Sequence, residues 1–167
     1  SILFVSRGVL DDHRSRKSEY HGDHFCDQYF GHNGKKGGGL FIIKNWKSKD
    51  AEIIDVVKGL KVPTGTNKGQ LMSEGTFISP DLSWDGKTIV FGWSSGGTKK
   101  WDRTTRFSIF KVGVDGSGLT RLTDRKFDEF DPVWLPNGRI VFMSTRRLGY
   151  GRCHGRPVPA FTMFSMK

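Results

Sequence analysis

Short apolar runs rich in Ile, Val, Phe and Thr recur along the chain, each closed by Asp-Gly, Asn-Gly, Gly-Ser-Gly or proline. Such runs predict strands joined by tight turns. Helical spacing is weak throughout. The single candidate for a helix, Asp50 to Val57, carries Ile53, Ile54, Val56 and Val57, and their β-branched side chains favour a strand. An all-β fold is expected.

The strand pattern repeats. Ser79-Pro80-Asp81-Leu82-Ser83-Trp84-Asp85-Gly86 overlays Asp131-Pro132-Val133-Trp134-Leu135-Pro136-Asn137-Gly138, with both the prolines and the glycines 52 positions apart. The overlay predicts that proline opens a strand where no ladder donor is needed, that Leu82 or Trp134 packs inward, and that a tight turn leads into a buried strand. Three copies of that buried strand are visible, at Ile2-Leu3-Phe4, Ile89-Val90-Phe91 and Ile140-Val141-Phe142. A following strand recurs at Leu40 to Lys44, Phe107 to Val112 and Phe161 to Met166, and Leu119 to Thr123 adds a fourth strand to the middle unit. Four strands per unit of about 50 residues is the plan of a β-propeller blade. The expected architecture is a partial β-propeller of about two and a half blades: 1–76 incomplete, 77–124 complete and 125–167 incomplete. Ser1 to Arg7 reads as a strand already under way, as in a chain cut from a longer protein.

The Pro80 to Phe91 hairpin, the Asp115-Gly116 turn, Leu122-Thr123-Asp124 and Asp131-Pro132-Val133-Trp134 resemble the repeats of TolB-like β-propellers. A further resemblance spans nearly the whole chain. Cys26 to Asn33, Gly37 to Phe41 and Gly151-Arg152-Cys153-His154-Gly155-Arg156-Pro157 are similar to the propeller domain of hydrazine synthase alpha subunit-like proteins. This resemblance implies a blade-bearing piece of a large exported protein in a periplasmic or otherwise extracytoplasmic setting, of a family in which several members carry haem domains elsewhere in the chain; a role as an interaction scaffold is the expected function.

Charge sharpens the picture. Lysine and arginine exceed aspartate and glutamate by 27 to 17, for a net +10. In a blade, the connections between second and third strands emerge at one face. Here they are long, at 8–37, 95–106 and 146–160, and they hold thirteen Lys or Arg against six acids, +7 of the total. Long loops on a rigid sheet are common binding elements. The basic face suits another domain, a subunit or an anionic ligand such as a charged glycan, or it serves solubility alone. Nucleic acid is disfavoured by the extracytoplasmic resemblance. No apolar run approaches the length needed to cross a bilayer, so no membrane span is expected.

All five histidines and both cysteines lie in the first and third of these connections. His21, His24 and Cys26, with Cys153 and His154, are the residue types that zinc or copper requires. A disulfide between Cys26 and Cys153, or no joint role, stays open at this point. No Cys-x-x-Cys-His occurs, so covalent haem attachment is unsupported. The family resemblance instead suggests a loop face covering a haem held by another domain, with Arg152, Cys153, His154 and Arg156 meeting the cofactor. Glu74, Asp81, Asp128, Glu129 and Asp131 are candidate paired acids of a glycosidase, with strand and turn capping as the competing role. No self-contained catalytic motif is present, and Gly-x-Ser-x-Gly is absent.

Overall fold

A computed structural model describes residues 1–8, 29–97, 105–123, 126–150 and 157–167. Ten strands in these residues form three antiparallel sheets. The first sheet has the order β1 (Ile2–Ser6), β2 (Gly39–Lys44), β3 (Glu52–Asp55). The second runs β4 (Thr76–Leu82), β5 (Thr88–Ser94), β6 (Ser108–Gly113), β7 (Thr120–Arg121). The third holds β8 (Glu129–Trp134), β9 (Ile140–Tyr150) and β10 (Pro157–Met166), with β9 in the middle. The remaining described helical structure consists of short 3-10 turns at Gly31–Asn33 and Met72–Glu74. The three sheets do not close into a ring among the described residues.

The three copies of the buried strand take matching places. Phe4 lies opposite Phe41 with rings 5.5 Å apart, Phe91 opposite Phe110 at 6.0 Å, and Phe142 opposite Phe164 at 6.1 Å. Directly opposed aromatic pairs strengthen antiparallel sheets. Turn chemistry repeats as well: Asp85, Asp115 and Asn137 each accept the backbone N–H two residues on, followed by positive-φ Gly86, Gly116 and Gly138. The Ser83 and Ser117 hydroxyls and these backbone amides hold the exposed Asp85 and Asp115 carboxyls below the usual range.

The second sheet is packed on both faces. Phe77, Ile89, Phe91, Trp93, Phe110 and Val112 form one core with Leu3, Val5, Leu40 and Ile42 of the first sheet. Ile78 and Phe107 form another with Phe130, Met143 and Phe161 of the third. Between the first two sheets, Val56, Val57, Val62 and Met72 from the long segment after β3 complete the larger core.

Several expectations change. Proline does not open β4 and β8; Pro80 and Pro132 sit inside them at β-bulges, where the register slips between Ile78 and Asp81 and between Phe130 and Val133. The residue before each, Ser79 (φ 48°) or Asp131 (φ 49°), is left-handed, and the bulge frees the ladder position that proline cannot fill. Leu82 does not pack inward but is 42% exposed. The third long connection is shorter than 146–160, because β9 and β10 extend their ladder to Tyr150 and Pro157 across a further irregularity at Ala160/Thr162.

Candidate functional site

Among the described residues, Gly31 of the first long connection, Arg106 at the end of the second with the adjoining Phe107, and Thr145 of β9 converge on Asp128, just before β8. One carboxylate oxygen of this buried residue accepts the Gly31 amide at 2.7 Å and the Phe107 amide at 3.0 Å. The other oxygen accepts Arg106 Nη1 at 2.8 Å. Its backbone is clamped too, since Asp128 N donates to Thr145 Oγ1 and Thr145 N donates to Asp128 O, both at 3.0 Å. Burial pushes the Asp128 carboxyl up, while the two amides and the Arg106 guanidinium oppose that shift. Three separate parts of the chain are thereby tied together: the end of the first insertion, the lead into β6, and the third sheet.

Glu129, one residue on, is a second buried carboxylate in an ion pair, its partner Arg146 being partly exposed. Its Oε1 accepts from Arg146 Nε at 2.9 Å and also from Nη2. The guanidinium lies over the rings of Phe142 and Phe164, at 5.5 and 4.8 Å.

Residues 29–38 run across this end from the third sheet to the first. Tyr29 stacks on Phe130 at 4.7 Å and Phe30 meets Phe161 at 5.6 Å. Ser94 Oγ donates to Gly31 O at 3.2 Å, Gly97 N donates to Gly34 O at 3.1 Å, and the Gly37 and Gly38 amides both donate to Gly75 O. Glycine is required by close approach: a Cβ on Gly97 would lie 1.8 Å from the His32 carbonyl oxygen. Gly97→Ala is expected to lift this strap off the second sheet. Faster amide hydrogen exchange at Gly34, Gly37 and Gly38 would report it, and unchanged exchange would show that the contact holds nothing.

The described parts of the three connections carry Lys35, Lys36, Arg106, Arg146 and Arg147 and no acidic residue. Arg106 and Arg146 are nonetheless spent on Asp128 and Glu129. Counting charge within the connections therefore overstates what this end offers a ligand, because the counter-ions Asp128 and Glu129 lie just before and at the start of β8.

His21, His24, Cys26, Arg152, Cys153, His154 and Arg156 lie outside the described residues, as does any zinc or haem contact built on them. Among the described residues no group of three or more His, Cys, Asp or Glu side chains could hold a metal. His32 is described and is buried, its ring 5.6 Å from that of Phe30. The proposed acid pairs separate into individual structural roles. Asp81 accepts the Trp134 amide at 2.7 Å, Asp131 accepts the Ser79 hydroxyl, Glu74 belongs to a 3-10 turn, and Asp128 and Glu129 hold arginines. Sequence reasoning missed these last two partnerships. The available signal was their place in the 52-residue repeat, where two adjacent acids replace Thr76 and Phe77.

The arrangement defines an all-β chain of three antiparallel sheets. No protein-family model matches the chain. Dipeptidyl-peptidase 5 of Porphyromonas gingivalis is 38% identical over 87 residues, covering 48% of this chain and 12% of that protein. An uncharacterized protein of Agrobacterium fabrum is 31% identical over 94 residues, covering 56% of this chain and 29% of that one. The chain thus spans less than a third of either relative. Among solved structures, the tricorn protease covers 80% of this chain and 12% of its own, with a TM-score of 0.41 and 12% identity. No helix among the described residues is long and apolar enough to cross a membrane.

Proposed function

We propose that the chain forms consecutive blades of a TolB-like β-propeller, with units 1–76, 77–124 and 125–167, acting as an interaction scaffold in a larger extracytoplasmic protein of the hydrazine synthase alpha subunit-like type. The observation that carries this reading is the shared plan of the three sheets, with a Phe pair between matching strands in all three and a proline bulge in both inner strands. Sheets built alike and packed in series are what a propeller repeats. The similarity to short stretches of two longer proteins fits a module embedded in a longer chain.

In this reading the end bearing Lys35, Lys36 and Arg147 faces another domain or subunit. The connections that carry His21, His24, Cys26, Cys153 and His154 supply its chemical contacts, a zinc or haem contact among them. Cross-linking mass spectrometry on the intact protein tests the idea. Lys35 and Lys36 are expected to cross-link to another domain or subunit. Links from both lysines confined to residues 1–167 would overturn the scaffold reading.

A further inference from the structure

The chain holds two Asn-Gly dipeptides, Asn33-Gly34 and Asn137-Gly138. Glycine has no Cβ to shield its amide nitrogen, so that nitrogen can attack the side-chain carboxamide of the asparagine before it. Both glycine amides are tethered alike, in turns of the same span: Gly34 N donates to Gly31 O at 3.2 Å and Gly138 N to Leu135 O at 3.0 Å. Their surroundings differ. Gly34 is buried in the strap, where a Cβ would collide with Thr76 Cγ2, and its carbonyl accepts from Gly97 N at 3.1 Å. Asn137 and Gly138 are exposed at the tip of the hairpin between β8 and β9, and nothing among the described residues lies within 4 Å of a Cβ built on Gly138. Asn137 Oδ1 accepts Arg139 N at 3.1 Å, which folds the carboxamide back along the turn and sets a donor on the oxygen that turns negative under attack.

We infer that Asn137 is a site of spontaneous modification through a cyclic imide. Hydroxide takes the Gly138 amide proton, and the nitrogen bonds to Asn137 Cγ. The bond from Cγ to the side-chain nitrogen breaks, and that nitrogen leaves as ammonia after taking a proton from water. A second water opens the imide at either carbonyl, giving aspartate or isoaspartate. Aspartate reproduces the other turns, in which Asp85 and Asp115 accept the backbone N–H two residues on. Isoaspartate instead adds a methylene to the main chain, inside the turn that Leu135 N closes on Arg139 O at 2.8 Å. Only the exposed turn frees its glycine amide by a small local opening; at Asn33 the strap itself must lift.

The test incubates the 167-residue protein at mildly alkaline pH, folded and in urea, and follows both sites by peptide mass mapping, with electron-transfer fragmentation to tell isoaspartate from aspartate. In the folded protein, conversion at Asn137 is expected to be at least about tenfold faster than at Asn33, with both products present. In urea the two rates should become comparable, which ties the difference to the fold. Comparable rates in the folded protein, an Asn137 that stays intact there, or a difference that persists undiminished in urea overturns the inference.

Discussion

Replacing Asp128 with alanine is expected to lower the free energy of urea unfolding by about 3–5 kcal/mol at neutral pH, the cost of breaking a buried ion pair by removing one partner. Arg106, with its side chain 20% exposed, would lose its counter-ion, and the Gly31 and Phe107 amides would lose their acceptor. A loss below about 1 kcal/mol would show that the node is not what ties the strap to the sheets. Acid adds an independent check with a definite sign. Burial raises the folded-state pKa of Asp128 above its ordinary 3.8, so the folded chain binds this proton more readily than the unfolded chain. The contribution of the group is therefore complete below the unfolded pKa and is lost as pH rises through the folded one. Wild type should gain stability relative to Asp128→Asn as the solution is acidified from neutrality. The opposite slope would mean that the amides and Arg106 outweigh burial.

Phe91→Ala should cost a similar amount, about 3–5 kcal/mol, because the ring is fully buried between Phe77 at 5.7 Å and Phe110 at 6.0 Å. Phe4→Ala, at the matching place in the first sheet, should cost about 1–2 kcal/mol, since that ring is only partly buried. Denaturant midpoints of the two variants, compared at unchanged m-value, read the difference directly. Equal losses would contradict the packing order of the sheets.

That contrast shows where sequence reasoning reaches its limit. Phe4, Phe91 and Phe142 stand in the same local pattern, and nothing within a few residues of each separates them. What separates them is the neighbouring sheet. The proline motif teaches the same lesson. Its repetition was legible, but reading proline as a strand opener followed from the missing N–H alone. A bulge accommodates the same deficit in mid-strand, and that depends on the register of the partner strand. Inward packing was expected of Leu82 or Trp134 alike, yet Leu82 is 42% exposed while Trp134 is half-buried.

The candidate site was legible in outline and misread in its energetics. Connection lengths indicated where the long excursions emerge, and among the described residues Gly31 of the first and Arg106 of the second meet at Asp128. The excess of positive charge suits a partner, an anionic ligand or solubility alone, and counting it does not show that Arg106 and Arg146 are partners of Asp128 and Glu129, 22 and 17 positions away.

By itself the sequence determined the strands, the turns and the repeat, because β-branched runs, Asx-Gly turns and alternating burial are set by contacts among near neighbours. Only the tertiary structure decided which phenylalanines are sealed, where the prolines sit in the ladder and which carboxylates hold which arginines. Burying a ring or a charge draws its free energy from groups far off in the chain, and no local pattern records how those groups come together.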